Sequence, residues 1–576
     1  MRFGIFYEHQ LPRPWEEGAE ERLLNDALEQ VEIADRIGID HVWEVEHHFL
    51  EEYSHSSAPE VFLAAASQRT RRIRLGHGIV QLPPGVNHPA RVAERIATLD
   101  LLSGGRVDLG TGESSSQMEL GGFGVDRGQK RAQWAEALDV VTRMMVEEPF
   151  AGHRGRFLSV PPRNVVPKPR QKPHPPLWVA CSRRDTILLA ARCGIGALSF
   201  SFVEPEEARR WVDDYHAILA SEECVPVGFA VNPNVAVVLP FMCHRDEATA
   251  IERGIDGAHF FGYSLAHYYV FGDHRPGATD VWEEFQANRA RRGFTREIVG
   301  AEAAPLGMKL LERGLGSLRG AIGTPEQVRE LLERYRAAGV DQVILVSQTG
   351  RSRHEHICES LELFGAEVLP HFAAEADGED ARRHERLAEH CERALRRRPP
   401  ARPPGSVDPG YVVSTTGEPW THPTPSGGDG MRAAIARRTR TAIRAALSRA
   451  VRGRSDATVG RTLASPAGLW VLFTGMARNL RPEAAAGFRG DIQYLLEDGD
   501  GGRPWYVRVA DGAAHAHRGL APSPAVTFRM PALLFARIAA GEVSSNRALI
   551  EGRLSVEGDI ALAQRLPDMF GDVPMF

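Results

Sequence analysis

Short apolar runs alternate with longer stretches in which apolar residues recur every three or four positions, and the alternation persists to about residue 370. The runs 2–7, 41–45, 74–80, 106–110, 177–180, 197–201, 235–240 and 342–346 predict eight strands. Between them, 21–37, 90–102, 131–145, 205–219 and 325–338 carry the helical period. The last of these opens on Gly323-Thr324-Pro325, with threonine as cap and proline at the first helical position. Eight strands alternating with helices predict a parallel (β/α)8 barrel, a TIM barrel of the α/β class, over residues 1–373. A barrel needs roughly 250 residues, so this one carries insertions, the largest between 250 and 320. That insertion holds His259-Phe260-Phe261-Gly262-Tyr263 and His267-Tyr268-Tyr269-Val270-Phe271. Such aromatics either line a flat-ligand pocket or form a satellite core, the second being the commoner use.

The pattern changes at about residue 374. A charged stretch runs into Arg396-Arg397-Arg398-Pro399-Pro400, then Pro403-Pro404-Gly405 and Pro423-Thr424-Pro425. This composition predicts a linker over 374–430. Residues 431–454 hold eight arginines and no acid. They read as a basic amphipathic helix, either a solvated face or a contact for a membrane surface or anionic partner. From about 458 the runs 491–497, 505–510, 513–518, 525–530 and 552–556 predict strands, with a hairpin at Asp511-Gly512. Helices are expected over 466–480, 531–540 and 560–570. Successive strands with helices at the ends make 431–576 a smaller α+β domain. Helix 466–480 is more apolar than one buried stripe requires, so it either lines a lipid cavity or overfills a core.

Composition narrows the function classes. At 576 residues the chain has room for two or three domains. A formal net charge of -6 argues against general nucleic-acid binding. Six cysteines without paired metal-ligand spacing read as thiols of a reducing compartment, and no metal site is expected. The first strand begins at Arg2 with no secretory pattern before it, and no apolar run spans a bilayer, so a cytoplasmic location is expected.

The chemistry concentrates where barrel strands end, since the C-terminal ends of the strands carry the site in this architecture. Glu46-His47-His48-Phe49 closes the second strand, and an imidazole there can donate or accept a proton near neutrality. Bonded to nearby backbone, the same pair would be structural. Gly76-His77-Gly78-Ile79 lies in the third strand, where glycine lets backbone approach a ligand. Leu109-Gly110-Thr111-Gly112-Glu113-Ser114 follows the fourth. Ser182, Arg183 and Arg184, after the fifth strand and at a helix start, make a phosphate site. The residues alone therefore describe a barrel enzyme with a phosphate-bearing ligand and a histidine near its reactive end.

Several ordered motifs make residues 1–370 resemble the bacterial luciferase-like flavin monooxygenase family. They are Arg2-Phe3-Gly4, Glu46-His47-His48-Phe49, Leu75-Gly76 through Leu82-Pro83, Gly104-Gly105-Arg106, Gly122-Phe123-Gly124 and Ile322-Gly323-Thr324-Pro325-Glu326. The resemblance implies reduced FMN in the barrel mouth, reacting with O2 as co-substrate to a C4a-hydroperoxide that oxygenates a hydrophobic small molecule. It implies a separate flavin reductase and a homodimer. His47 takes the position of the catalytic histidine, with His48 and Glu119 supporting it. The implied cofactor-binding residues are Gly78, Ile79, Gly112, Arg131, Ser182 and Arg183, with a non-proline cis peptide at Gly78–Ile79. Glu113 replaces a phosphate-binding arginine and Gly112 a reactive cysteine, so light emission is not expected. The insertion, notably 272–294, is expected to act as a lid. Residues 458–575 resemble the sterol carrier protein type 2 family through Pro524-Ala525-Val526-Thr527-Phe528, 535–542 and 552–559, which implies a lipid or other apolar ligand. Two alternatives stand beside the monooxygenase: a deazaflavin-dependent hydride-transfer enzyme, which Glu113 favours, and a lipid-binding protein with an inactive barrel.

Overall fold

The computed structural model describes residues 1–200, 203–289, 319–408, 411, 413 and, with short breaks, 451–570. The chain forms two compact units, one through residue 413 and one beyond it, with 270–272 grouped with the second.

In the first unit every expected barrel strand forms. They are β1 (Arg2–Tyr7), β2 (His41–Glu44), β3 (Arg74–Gln81), β4 (Val107–Gly112), β5 (Leu177–Cys181), β6 (Gly196–Ser199), β7 (Val235–Cys243) and β9 (Gln342–Val346). All pairs are parallel, and β6 meets β7 at Ala197↔Val235 to close the ring. A short strand beyond those predicted, β8 (Ala321–Gly323), pairs in parallel with the last residues of the long β7. Strand alternation separates two cores. Phe3, Ile5, Val42, Leu75, Leu109 and Val179 face the helix ring. Gly4, Trp43, Gly76 and Trp178 fill the interior. A Cβ on Gly76 would lie 2.3 Å from the Trp43 ring, so glycine is what lets that indole occupy the barrel. Trp43 donates to Gln342 Oε1 at 2.9 Å, Trp178 donates to Asp108 Oδ1 at 3.0 Å, and the two rings meet edge-on at 5.3 Å.

Helix starts follow local chemistry. Thr324 caps Pro325–Ala337 with Pro325 in its first turn, as its sequence predicts, and Gln327 reaches back to make the cap reciprocal. One expectation is overturned. The first part of the stretch read as a linker over 374–430, residues 374–397, belongs wholly to a 29-residue helix, Leu369–Arg397. Leu369, Phe372, Ala376, Leu387 and Ala394 are buried along it. Its charged residues tie it to the barrel: Arg2 binds Asp377 and Asp380, Arg383 reaches Asp341, and Arg397 reaches Glu222 at 2.8 Å. The charges suggested a solvated segment, whereas spaced apolar residues among them build one buried stripe. The expected basic helix over 431–454 lies almost wholly outside the described residues.

The second unit is the expected α+β fold. Its sheet runs β12 (Ala513–Arg518), β11 (Arg503–Ala510), β10 (Gly490–Glu497), β13 (Pro524–Pro531), β14 (Ser555–Gly558), with β10 and β13 parallel. Asp511 and Gly512 take φ of 52° and 75°, the left-handed pair a tight hairpin requires. Phe473 stacks between Trp505 at 4.8 Å and Phe535 at 4.7 Å. Helix Pro466–Arg478 buries Leu469, Leu472, Phe473 and Met476 but leaves Trp470 and Val471 more than half exposed. Its surplus of apolar residues is therefore on its outer face. All six cysteines are free thiols. Among the described residues no helix is long and apolar enough to cross a membrane, and no His, Cys, Asp and Glu cluster has metal-site geometry.

Candidate active site

At the C-terminal ends of β1, β2, β3 and β4, residues distant in sequence converge on one imidazole. Glu119, in the short helix Gln117–Gly122 after β4, is fully buried. Its Oε1 accepts from His47 Nδ1 at 2.9 Å, the His48 backbone N–H at 3.0 Å and Gln81 Nε2 at 2.6 Å. Its Oε2 accepts from Ser114 Oγ at 2.7 Å. Burial alone would raise this carboxyl, but His47, Ser114 and the His48 N–H hold it below its ordinary range.

The other side of the imidazole faces Glu8, the residue after β1. Glu8 Oε2 lies 3.6 Å from His47 Nε2, and Tyr53 donates to Glu8 Oε1 at 2.8 Å. Burial would push His47 down, yet the Glu119, Glu8 and Glu46 carboxylates outweigh it and push the ring up to about 9. Burial pushes Glu8 up to about 7, with Glu44 and Glu119 adding to it and His47 and Tyr53 opposing it. Tyr269, in the π-helical turn His267–Phe271, brings its hydroxyl to 3.5 Å from His47 Nδ1. The rings of Tyr53, Tyr269 and Phe261 complete an aromatic wall, so part of the insertion's aromatic cluster packs around the histidine.

His48 does not share this centre through its ring. Its Nε2 lies 3.2 Å from Glu46 Oε1 and its edge packs on Phe123 at 4.9 Å, so its contribution to Glu119 is its backbone N–H. Glu46 in turn accepts from the Gln81 backbone N–H and from Asn87 Nδ2, each at 2.7 Å, which fixes the Gln81 side chain against Glu119.

Backbone strain gathers at the same strand ends. Among the described residues four non-glycine positions have positive φ, and His9, Phe49 and Ser114 follow β1, β2 and β4. Each such position costs about 1–3 kcal/mol and persists where surrounding structure over-determines it. The cis peptide expected at Gly78–Ile79 is absent: the cis bonds among the described residues all precede proline. The strand makes its irregularity as a bulge. Register passes from His77↔Leu109 to Val80↔Thr111, three steps on β3 against two on β4. A Cβ on Gly112 would fall 2.6 Å from Ile79 Cδ1, so Gly112 and Ile79 are brought together.

Beyond β4 and β5 lies the cationic group expected from the sequence. Arg131 Nη2 and Nε bind Glu113 Oε1 at 2.9 and 3.2 Å, so Glu113 faces the arginine. Lys130 Nζ lies 3.7 Å from the same carboxylate, and Asp185 lies 3.8 Å from Arg131 Nη1. Arg183, N-cap of the helix Arg184–Arg192, pairs with Asp185 at 3.2 Å, and Ser182 is exposed beside it. The insertion downstream is anchored: Glu51 accepts from the Gly277 N–H at 2.7 Å, and Glu52 accepts from the N–H groups of Val281 and Trp282. Residues 290–294 of the expected lid lie outside the described residues.

Glu8, Tyr53 and Gln81 are not among the sequence candidates, and Tyr269 enters there only within the aromatic stretch of the insertion. Glu8 and Gln81 sit where β1 ends and at the last position of β3, so the criterion that selected His47 applies to both. Tyr53 carries no sequence signal for this role.

The family model described as luciferase-like monooxygenase matches residues 1–342, and that of the SCP-2 sterol transfer family matches 474–571. The 4-hydroxyprotoasukamycin monooxygenase of Streptomyces nodosus subsp. asukaensis is 35% identical over 357 residues, 61% of this chain and 87% of its own length. Two relatives are matched over about half their length. The oxygenase component of the flavin-dependent trigonelline monooxygenase of Acinetobacter baylyi is 30% identical over 31% of this chain and 49% of its own. An uncharacterized protein of Sinorhizobium fredii is 35% identical over 34% of this chain and 54% of its own. The crystal structure of monooxygenase RslO1 from Streptomyces bottropensis superposes with a TM-score of 0.51 at 26% identity, covering 65% of this chain and all of that one. With a matched region exceeding half its length, closed by a parallel barrel and carrying the histidine-carboxylate centre at the barrel mouth, the chain belongs to the luciferase-like monooxygenase family and bears an SCP-2 sterol transfer domain at its C-terminal end.

Proposed function

We propose that this protein is a flavin-dependent monooxygenase that uses reduced FMN, supplied by a separate reductase, and O2 to oxygenate a hydrophobic small molecule. The observation that carries the reading is His47, held at the barrel mouth between Glu119 on Nδ1 and Glu8 facing Nε2, with aromatic rings around it.

The donor set fits the phosphate of FMN. Lys130, Arg131 and Arg183 outnumber Glu113 and Asp185 by one charge, and the Ser182 hydroxyl stands at the helix start. These residues would hold the phosphate, with Gly78, Ile79 and Gly112 as the bed of the ring. Reduced flavin supplies the two electrons that let one oxygen atom enter the substrate while the other leaves as water. The protein's part is to bind, orient and manage protons. His47 holds a proton against Glu119, which fixes the ring's orientation through Nδ1 and leaves Nε2 toward Glu8 and the barrel mouth. His48 supports Glu119 through its backbone, and Tyr53, Tyr269 and Phe261 limit water at the imidazole.

The C-terminal domain would bind a lipid or the apolar substrate, and its tether raises that molecule's local concentration. A homodimer accords with the same reading.

Stopped-flow absorbance tests the proposal. Photoreduced FMN and protein are mixed with oxygenated buffer, for wild type and His47→Ala. A transient absorbance before oxidised flavin, shortened or lost in the variant, is expected. Absence of flavin binding and of any transient would refute the reading and turn attention to a deazaflavin, for which Glu113 against Arg131 speaks. Deleting residues 431–576 is expected to raise KM for an apolar substrate with kcat kept, and unchanged kinetics would remove the delivery role.

A further inference from the structure

Glu8 is a buried acid facing His47, to which the monooxygenase reading gives no task of its own. It follows β1, and its side chain has almost no contact with solvent. One carboxyl oxygen is satisfied by the Tyr53 hydroxyl. The other, Oε2, has no hydrogen-bond partner although it is fully enclosed, and it faces His47 Nε2 at 3.6 Å. A buried carboxylate oxygen left without a donor bears an uncompensated desolvation penalty, larger when it is charged. A purely structural glutamate would gain by turning that oxygen to a donor, and the nearest cation is the imidazole.

The groups that weigh most on this pair are carboxylates, with His9 standing beyond Glu44 at 2.9 Å. His47 faces Glu119 from the helix after β4, Glu8 from the end of β1, and Glu46 from its own segment, with the Tyr269 hydroxyl above. Glu8 faces His47, the Tyr53 hydroxyl, Glu44 and Glu119. The largest influences on either residue include no lysine or arginine. Counting the two carboxylates nearest the ring, Glu8 and Glu119, one imidazolium leaves one excess negative charge in a largely buried site, and adding one proton removes it.

We propose that Glu8 is a positioning residue acting through His47: with Glu119 it forms a three-group unit that keeps the imidazole charged and stores a second proton on the Glu8 carboxyl. The inference rests on the reading of His47 as the site's proton-carrying group. When His47 gives its Nε2 proton to a reacting atom, the Glu8 carboxyl returns one to Nε2 and becomes carboxylate. The imidazolium is restored, and the unit has lost one proton in total. The enclosed site then supplies a proton without opening to water. The energetic drive is consistent with the raised affinities of both groups for protons, described above.

The test uses the full chain without flavin, labelled with 15N-histidine and 13C-carboxyl glutamate, and followed by NMR from pH 5 to 10. His47→Gln identifies the ring signals and Glu8→Gln the carboxyl signal. The expected result is a ring charged through neutrality, a Glu8 carboxyl titrating near neutrality, and an inflection of each signal at the other's midpoint. In Glu8→Gln the His47 midpoint should fall by at least a factor of ten in proton affinity. Should that variant not fold, the mutual inflections in wild type alone decide the matter. A His47 midpoint unchanged in Glu8→Gln, or two independent titrations in wild type, would overturn the role of Glu8 while leaving His47 its own. A His47 ring already neutral at pH 7 in wild type would overturn the three-group unit. Loss of activity in His47→Ala is a separate measurement, so the failure of one idea does not mask the other.

Discussion

Replacing Glu119 by glutamine should discharge His47 at neutral pH. The substitution keeps size and an acceptor oxygen but removes the charge 2.9 Å from His47 Nδ1. For charge centres about 4 Å apart at an effective dielectric near 20, that charge is worth about 4 kcal/mol, or roughly a thousandfold in proton affinity. An imidazole near 9 would then titrate near 6. At pH 7 the neutral fraction rises from about 1% to about 90%, because Glu8 alone cannot hold the proton. Only neutral imidazole reacts with diethylpyrocarbonate, so peptide-resolved carbethoxylation reads that fraction directly. The His47 peptide should label tens of times faster at pH 7 in Glu119→Gln than in wild type, and at pH 10 the two should label alike. Equal rates at pH 7 would refute the claim that Glu119 sets the charge of the ring. Faster labelling at both pH values would mean that access had changed instead.

Three further outcomes are expected. Gly110→Ala would place a Cβ 2.0 Å from the His77 carbonyl oxygen and 3.1 Å from Leu198 Cδ1, so β3 and β4 must separate. Thermal unfolding of the barrel should fall by at least about 3 kcal/mol, whereas Gly124→Ala, with open space around it but a φ of 68°, should cost about 1 kcal/mol. Glu113→Gln removes one of the carboxylate charges beside Arg131 and should tighten FMN binding by about fivefold, near 1 kcal/mol, without changing riboflavin affinity; equal effects on both would deny the phosphate role. His47 gains proton affinity on folding, so its contribution to stability is complete below its ordinary value of 6.5 and lost as pH rises through about 9. The unfolding temperature of wild type should therefore approach that of His47→Gln between pH 7 and 10, and a gap constant over that range would contradict the linkage.

The sequence by itself determined the barrel, the position of His47 and the second domain. Strand and helix periods report which face of each segment is buried, and that is a local property. All eight strands were legible for this reason, as was the hairpin at Asp511-Gly512. The segment 374–397 misled because its charge density masked an apolar stripe spaced along a single helix. A cis bond at Gly78–Ile79 was implied by resemblance alone, and a one-residue slip between β3 and β4 takes its place.

Only the tertiary structure decided what surrounds the histidine. Closing the ring brings Glu8, Gln81, Glu119 and Tyr269, from four separate segments, within reach of one imidazole or of the carboxylate that holds it. No spacing along the chain encodes that convergence. It follows from the shear and closure of the barrel, which set the strand ends beside one another. The same closure removes water from Glu8 and Glu119 and turns the His48 ring toward Glu46. Which of several acids and histidines are gathered around one buried imidazole is therefore a matter of burial and geometry, and these exist only once the chain has folded.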